Sequence, residues 1–220
     1  MKINSEKKKT GISKLPEGYV REILNYWRDW VVFTIFRKKY GGIQLKVPEL
    51  LRIVNAIRNY EDCRLLVFGM GYDSPFWSRI NSHGSTLFLE DYEPWFDKIS
   101  LKYPDLEAYL VSYPCNMTQW QEVIDQPDRL TILLPEKFEN AKFDVILVDG
   151  PRGHRVTEDQ PGRMSSIFMA SRLVGPNGYV FVHDAEREVE RTYSSKYLGE
   201  DRLVEEIRGR ALLRVFHFPG

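Results

Sequence analysis

Cysteine is scarce in this chain: Cys63 and Cys115 are the only two among 220 residues. Two thiols build neither a disulfide framework nor a metal site of their own, so the fold must rest on its core. Net charge is missing too. The 31 Lys and Arg side chains balance 31 Asp and Glu, which leaves no general field favouring nucleic acid or an anionic membrane. No apolar run approaches the roughly 20 residues of a spanning helix. The most apolar early run, residues 30–36, is closed off by Arg28, Asp29 and Arg37. Residues 1–10 are polar and lysine-rich, unlike a secretory leader, so a cytoplasmic setting is expected. Internal repeats and low-complexity tracts are absent as well.

What is present reads in three parts. Residues 1–14 offer nothing to bury and are expected to be a disordered tail. Residues 15–60 read as a helical extension. Its first helix spans residues 18–39 and carries Tyr19, Ile23, Tyr26, Trp27 and Trp30 on one face, a candidate surface for a homo-oligomer. The second spans residues 47–59, with Pro48 in its first turn and Leu50, Leu51, Val54 and Ile57 inward. From residue 61 to 220 the pattern changes to short apolar runs, at 64–68, 86–90, 107–113, 143–148 and 179–183. Helical stretches at 75–81, 94–102, 117–125 and 163–174 separate them. Runs apolar on both faces suit buried parallel strands, and their alternation with helices predicts a doubly wound α/β sheet. Residues 203–207 and 211–218, around Arg208-Gly209-Arg210, read as a hairpin or as a helix end followed by an edge strand. Either would close the sheet with an antiparallel edge.

An open α/β sheet binds its ligand beyond the carboxyl ends of the strands, so the residues after each run carry the function. The first run is followed by Phe68-Gly69-Met70-Gly71-Tyr72-Asp73-Ser74-Pro75. Glycine permits a tight turn and close approach of a ligand, Ser74 suits a helix N-cap and Pro75 a first helical position. Glu90 lies 19 positions beyond Gly71, the spacing at which a carboxylate accepts hydrogen bonds from ribose hydroxyls. A third glycine and a phosphate-binding loop are lacking, which disfavours a dinucleotide. S-adenosylmethionine has no pyrophosphate and needs neither. The fourth run is followed by Asp149-Gly150-Pro151-Arg152-Gly153-His154, and the fifth by His183-Asp184. Asp149 could face a sulfonium. Asp149 and Asp184 could together hold a divalent metal ion through oxygen. Alternatively Asp149, His154, His183 or Asp184 could be a general base. Arg152, Arg163 and Arg187 at the same edge suit a carboxylate-bearing acceptor, because a guanidinium pairs with it in bidentate fashion. His83 reads as structural.

These segments resemble a known family. Residues 66–74, 87–90 (Leu-Phe-Leu-Glu), 106–109 (Leu-Glu-Ala-Tyr), 144–153 (Asp-Val-Ile-Leu-Val-Asp-Gly-Pro-Arg-Gly), 161–164 (Pro-Gly-Arg-Met), 182–184 and 187–190 are similar to the plant glucuronoxylan glucuronic acid 4-O-methyltransferases. The similarity runs from about residue 45 to 218. It implies a class I methyltransferase fold, S-adenosylmethionine as donor and a uronic acid hydroxyl as acceptor. Phe68, Gly69, Gly71, Asp73, Ser74, Glu90 and Asp149 would then surround the donor. Two alternatives stay open at this point. One is methylation of another small hydroxylated molecule, such as a phenol. The other is a non-catalytic scaffold binding a partner through the face of residues 19–36, against which Glu90 and Asp149 weigh. Methylation of nucleic-acid bases is disfavoured, because the fourth run ends in Asp-Gly-Pro-Arg rather than Pro-Pro-aromatic.

Overall fold

A computed structural model describes Val31, residues 33–35, 43–157, 159–209 and 211–220. The tail over residues 1–14 and most of the helix expected over 18–39 lie outside the described residues. Val31 and residues 33–35 are helical, and Phe33 is buried edge-on against Phe76, ring centroids 5.6 Å apart.

The elements in chain order are α1 (Val47–Ile57), β1 (Arg64–Phe68), α2 (Ser74–Ile80), β2 (Ser85–Glu90), α3 (Glu93–Lys102), β3 (Glu107–Leu110), α4 (Trp120–Val123), β4 (Phe143–Val148), α5 (Met164–Leu173), β5 (Val174–Val182), α6 (Glu188–Leu198), β6 (Leu203–Arg208) and β7 (Leu212–His217). The seven strands lie in the order β3-β2-β1-β4-β5-β7-β6. The first five are parallel, and β7 runs antiparallel between β5 and β6. This is the class I methyltransferase fold, a doubly wound sheet with an antiparallel carboxy-terminal edge. The carboxy-terminal segment is a hairpin, not a helix end.

Strand side chains alternate between faces, and here both alternate sets are apolar. Leu66, Phe68, Leu87, Leu89, Ile146, Val148, Val180 and Val182 face α5 and α6 through Ile167, Val189 and Tyr193. Leu65, Val67, Phe88, Val145, Leu147 and Phe181 face α1, α2 and α3 through Leu50, Ile53, Phe76, Trp77 and Ile99. Helix α1 is thus part of the main core. It buries Leu50, Leu51, Val54 and Ile57 as the periodicity predicts, and Glu49 with them. Helix α6 escaped the sequence reading. Its buried side includes Glu190 and Ser194 beside Val189, Tyr193 and Leu198, and the polar members break the apolar stripe. No helix of the described residues is long and apolar enough to cross a membrane.

Candidate active site

The backbone ladder continues one residue past the strand ends. Gly69 N–H donates to Leu89 O (2.8 Å), Asp149 N–H to Phe68 O (3.0 Å), and His183 N–H to Val148 O (3.1 Å). These bonds set Gly69, Glu90, Asp149 and His183 in a row along the carboxyl edge. Beyond the row lies a cavity of about 930 Å³, within the range of about 300–1,000 Å³ that holds small molecules and cofactors.

The β1 turn explains its glycines. Gly69 has φ of +104°, a region side chains avoid. A Cβ on Gly150 would stand 2.6 Å from Gly69 Cα, so the loops after β1 and β4 touch backbone to backbone. Asp73, not Ser74, is the N-cap of α2. Ser74 is the first helical residue, and its hydroxyl reaches back to accept the Gly71 N–H (2.9 Å). Ser74 and Phe68 are buried and build the turn, whereas Gly69, Gly71 and Asp73 line the cavity.

Glu90 is buried at the end of β2. Its Oε2 accepts the Met70 N–H (2.9 Å), and Oε1 accepts those of Asp91 (3.1 Å) and Tyr92 (3.0 Å). A carboxylate offers about four acceptor positions, so Glu90 braces the glycine turn and keeps room for about one more donor. Burial, then the charge and hydrogen bond of Glu90, push the neighbouring Asp91 carboxyl up to about 6. Asp73 is also pushed up to about 6, by burial first and then by the charge of Asp149.

At β4 and β5 the charges pair with one another. Asp149 Oδ1 takes His183 Nδ1 at 2.9 Å and Arg163 Nη2 at 3.2 Å. Asp184, held at φ +59°, pairs its Oδ2 with Arg163 (2.8 Å) and Arg187 (2.9 Å). Burial alone would raise the Asp149 pKa. The His183 hydrogen bond and the charges of Arg163, His183 and Arg187 outweigh it and hold the carboxyl below its ordinary value. Burial alone would lower His183, but its bond to Asp149 and the charges of Asp149 and Asp184 hold it above its ordinary value.

Three expectations change here. Arg163, expected at the substrate, lines the cavity, but it is buried and spends its guanidinium on Asp149, Asp184 and the His183 carbonyl (2.5 Å). Arg187 shares Asp184 and donates to Gly153 O (3.0 Å), though its side chain stays partly open. Arg152 is exposed on the cavity rim, 4.1 Å above the Tyr92 ring, and is the cation best placed for a ligand. His154 is exposed on the same rim. Ligand atoms of Asp149, His183 and Asp184 do lie within 4.8 Å of one another. Their chemistry nevertheless fits a divalent ion badly. Two guanidinium groups hold Asp184 Oδ2, and His183 Nδ1 is turned onto Asp149, so the expected metal pair Asp149 and Asp184 is already charge-balanced.

The sequence reading missed Tyr92 and Trp95, which follow β2 and line the cavity, and Glu49, which lies behind His183. Tyr92 sits just past the end of β2, where position alone could have singled it out, and Trp95 lies in the first turn of α3. Glu49 carries no such signal.

A family model described as IRX15/IRX15L/GXM matches residues 48–131 and 127–216. Glucuronoxylan 4-O-methyltransferase 1 of Arabidopsis thaliana is 35% identical over 179 residues, 72% of this chain and 62% of that protein. Arabinogalactan O-methyltransferase 1 of the same plant is 29% identical over 199 residues, 80% of this chain and 66% of that one. This chain thus spans 58–62% of the length of the glucuronoxylan methyltransferases it matches. Among solved structures, a putative caffeoyl-CoA O-methyltransferase from Staphylococcus aureus superposes with a TM-score of 0.54 at 12% identity, over 91% of this chain and 98% of that one; that likeness concerns the fold alone. With the family model covering most of its length, the chain belongs to the IRX15/IRX15L/GXM family.

Proposed function

We propose that this chain is an S-adenosylmethionine-dependent O-methyltransferase acting on a sugar hydroxyl of a polysaccharide, with a uronic acid preferred. The observation that carries the reading is one cavity bounded by the Gly69 turn, Glu90 and Asp149 along a single sheet edge. Its electrostatics agree. Burial first, and then the charge of Asp149, makes Asp73 costly to ionise, and a cationic ligand relieves that repulsion. Relatives named for glucuronoxylan and arabinogalactan methylation support a polysaccharide acceptor.

S-adenosylmethionine, when bound, supplies a methyl group activated by a sulfonium. The turn at Gly69–Gly71 gives the donor's methionine part close access to backbone, and Glu90 has an acceptor position for a ribose hydroxyl. Asp149 takes the acceptor's proton. A carboxyl with a lowered pKa is a weak base, but a hydroxyl oxygen gaining a carbon becomes strongly acidic, so a weak base suffices. His183 and Arg163 occupy Oδ1 of Asp149 and leave Oδ2 for that proton. Arg152 holds the uronate.

Labelled donor, offered with glucuronoxylan oligosaccharides and with their carboxyl-reduced counterparts, tests both levels. Transfer to the uronate form, undiminished by EDTA, is expected. Equal transfer to the reduced form removes the uronate preference. No transfer to any acceptor removes the enzymatic reading.

A further inference from the structure

Helix α1 precedes the sheet and contributes no side chain to the cavity wall, yet it places a carboxylate directly behind the site. Glu49 is fully buried. Its Oε2 accepts the Lys46 N–H at 2.6 Å, an ordinary helix-capping bond. Its Oε1 has no hydrogen-bond partner, and neither does the buried Nε2 of His183. The two atoms face each other at 3.6 Å. Buried polar atoms are nearly always paired, and a shift of a few tenths of an ångström would join these two.

The surroundings single out this pairing. Gly209, in the turn between β6 and β7, lies so close over the Glu49 carboxylate that a Cβ there would collide with both oxygens. The turn therefore seals Glu49 from solvent. A capping glutamate needs no such burial, since one oxygen makes the cap and the other can stay in water. His183, for its part, commits Nδ1 to Asp149. Neither ring nitrogen is left for a substrate, so the imidazole serves as a strut between two carboxylates.

We infer that Glu49 is a positioning residue: through His183 Nε2 it fixes the ring so that Nδ1 anchors Asp149 and leaves the other Asp149 oxygen to the acceptor. The arrangement parallels the use of a carboxylate to orient a histidine in other sites, with the histidine here orienting a second carboxylate in turn. The inference rests on the reading of Asp149 as proton acceptor.

The test is a set of variants assayed with S-adenosylmethionine and a glucuronoxylan oligosaccharide. Glu49→Gln keeps the size of the side chain and an oxygen for the Lys46 cap. It is expected to lower kcat at least tenfold with little change in KM for either substrate. In a His183→Gln background the same substitution is expected to cost less than twofold, because Glu49 acts only through the ring. Equal losses in both backgrounds, or no loss in the native background, overturn the assignment. Nitrogen-15 spectra of histidine-labelled native protein read the pairing without a variant: a hydrogen-bonded Nε2 at His183 supports it, and an unpaired Nε2 contradicts it. Asp149→Asn, run in parallel, separates the two levels. Full turnover in that variant defeats the base reading, whereas lost turnover there beside an unchanged Glu49→Gln defeats Glu49 alone.

Discussion

Glu90 and Asp149 end neighbouring parts of the same sheet edge, yet their carboxylates are held by different means. Glu90 rests on three backbone N–H groups, from Met70, Asp91 and Tyr92. Asp149 rests on side chains that come from distant points in the sequence: Arg163, His183 and, behind the ring, Glu49. The first arrangement is a fixed cradle, suited to a cofactor whose shape never changes. The second is a network of charges whose balance sets a pKa, suited to a group that must take up a proton. On this account the β1–β2 half of the edge binds and the β4–β5 half reacts.

The largest expected effect separates the two halves. Asp149→Asn should cut turnover by about a hundredfold or more, the loss expected for a missing general base, while donor affinity measured by calorimetry stays near that of the native protein. Loss of donor binding of similar size would erase the distinction. Glu90→Gln probes the other half. An amide NH₂ turned toward three N–H groups leaves part of the cradle unpaired, at about 1–3 kcal/mol. Donor affinity and melting temperature should fall together, with kcat at saturating donor little changed. A fall in kcat alone would move Glu90 into the reacting half.

The same contrast governs what could be read from the sequence. The strands at 64–68 and 143–148 were legible to the residue, because runs apolar on both faces have few other uses. The glycine turn was legible because its chemistry is local: Gly69 needs a positive φ, and Pro75 lies in the first turn of its helix. The β4–β5 half was legible only at its strand ends, Asp149 and His183-Asp184. Arg163 looked like a free cation because nothing local shows that its guanidinium turns inward onto two carboxylates. Glu49 was not singled out, because nothing local shows that its carboxylate lies behind His183. Helix α6 was obscured by Glu190 and Ser194 on its buried side. For Arg163 and Glu49 the deciding partner is far away in the chain.

Two smaller effects sharpen the division. Asp73 lines the binding half with a pKa raised to about 6, by burial first and by Asp149 second. Above that value it is an anion facing a cationic donor, and below it is neutral. Donor affinity should therefore weaken as pH falls through about 6, by roughly three- to tenfold, since one unit of pKa shift on binding corresponds to a factor of ten. Asp73→Asn should flatten this dependence in a calorimetric pH series. A variant that keeps the full pH dependence would assign it to another group. The smallest effect concerns Arg152 on Tyr92. Arg152→Lys keeps the charge and loses the planar fork, so the preference for a uronate over its neutral counterpart should shrink by about tenfold or less. An unchanged preference would shift the acceptor contact to Arg187 or His154.

The proposed reaction passes methyl from sulfur to a sugar oxygen at this edge. Protein incubated with S-adenosylmethionine carrying a carbon-13 methyl group and with glucuronoxylan oligosaccharides tests it directly by NMR of the carbohydrate. A new O-methyl resonance connected to a glucuronosyl ring is expected, formed by the native protein and lost in Asp149→Asn. A native protein that binds the donor yet leaves all of the label on sulfur would contradict it.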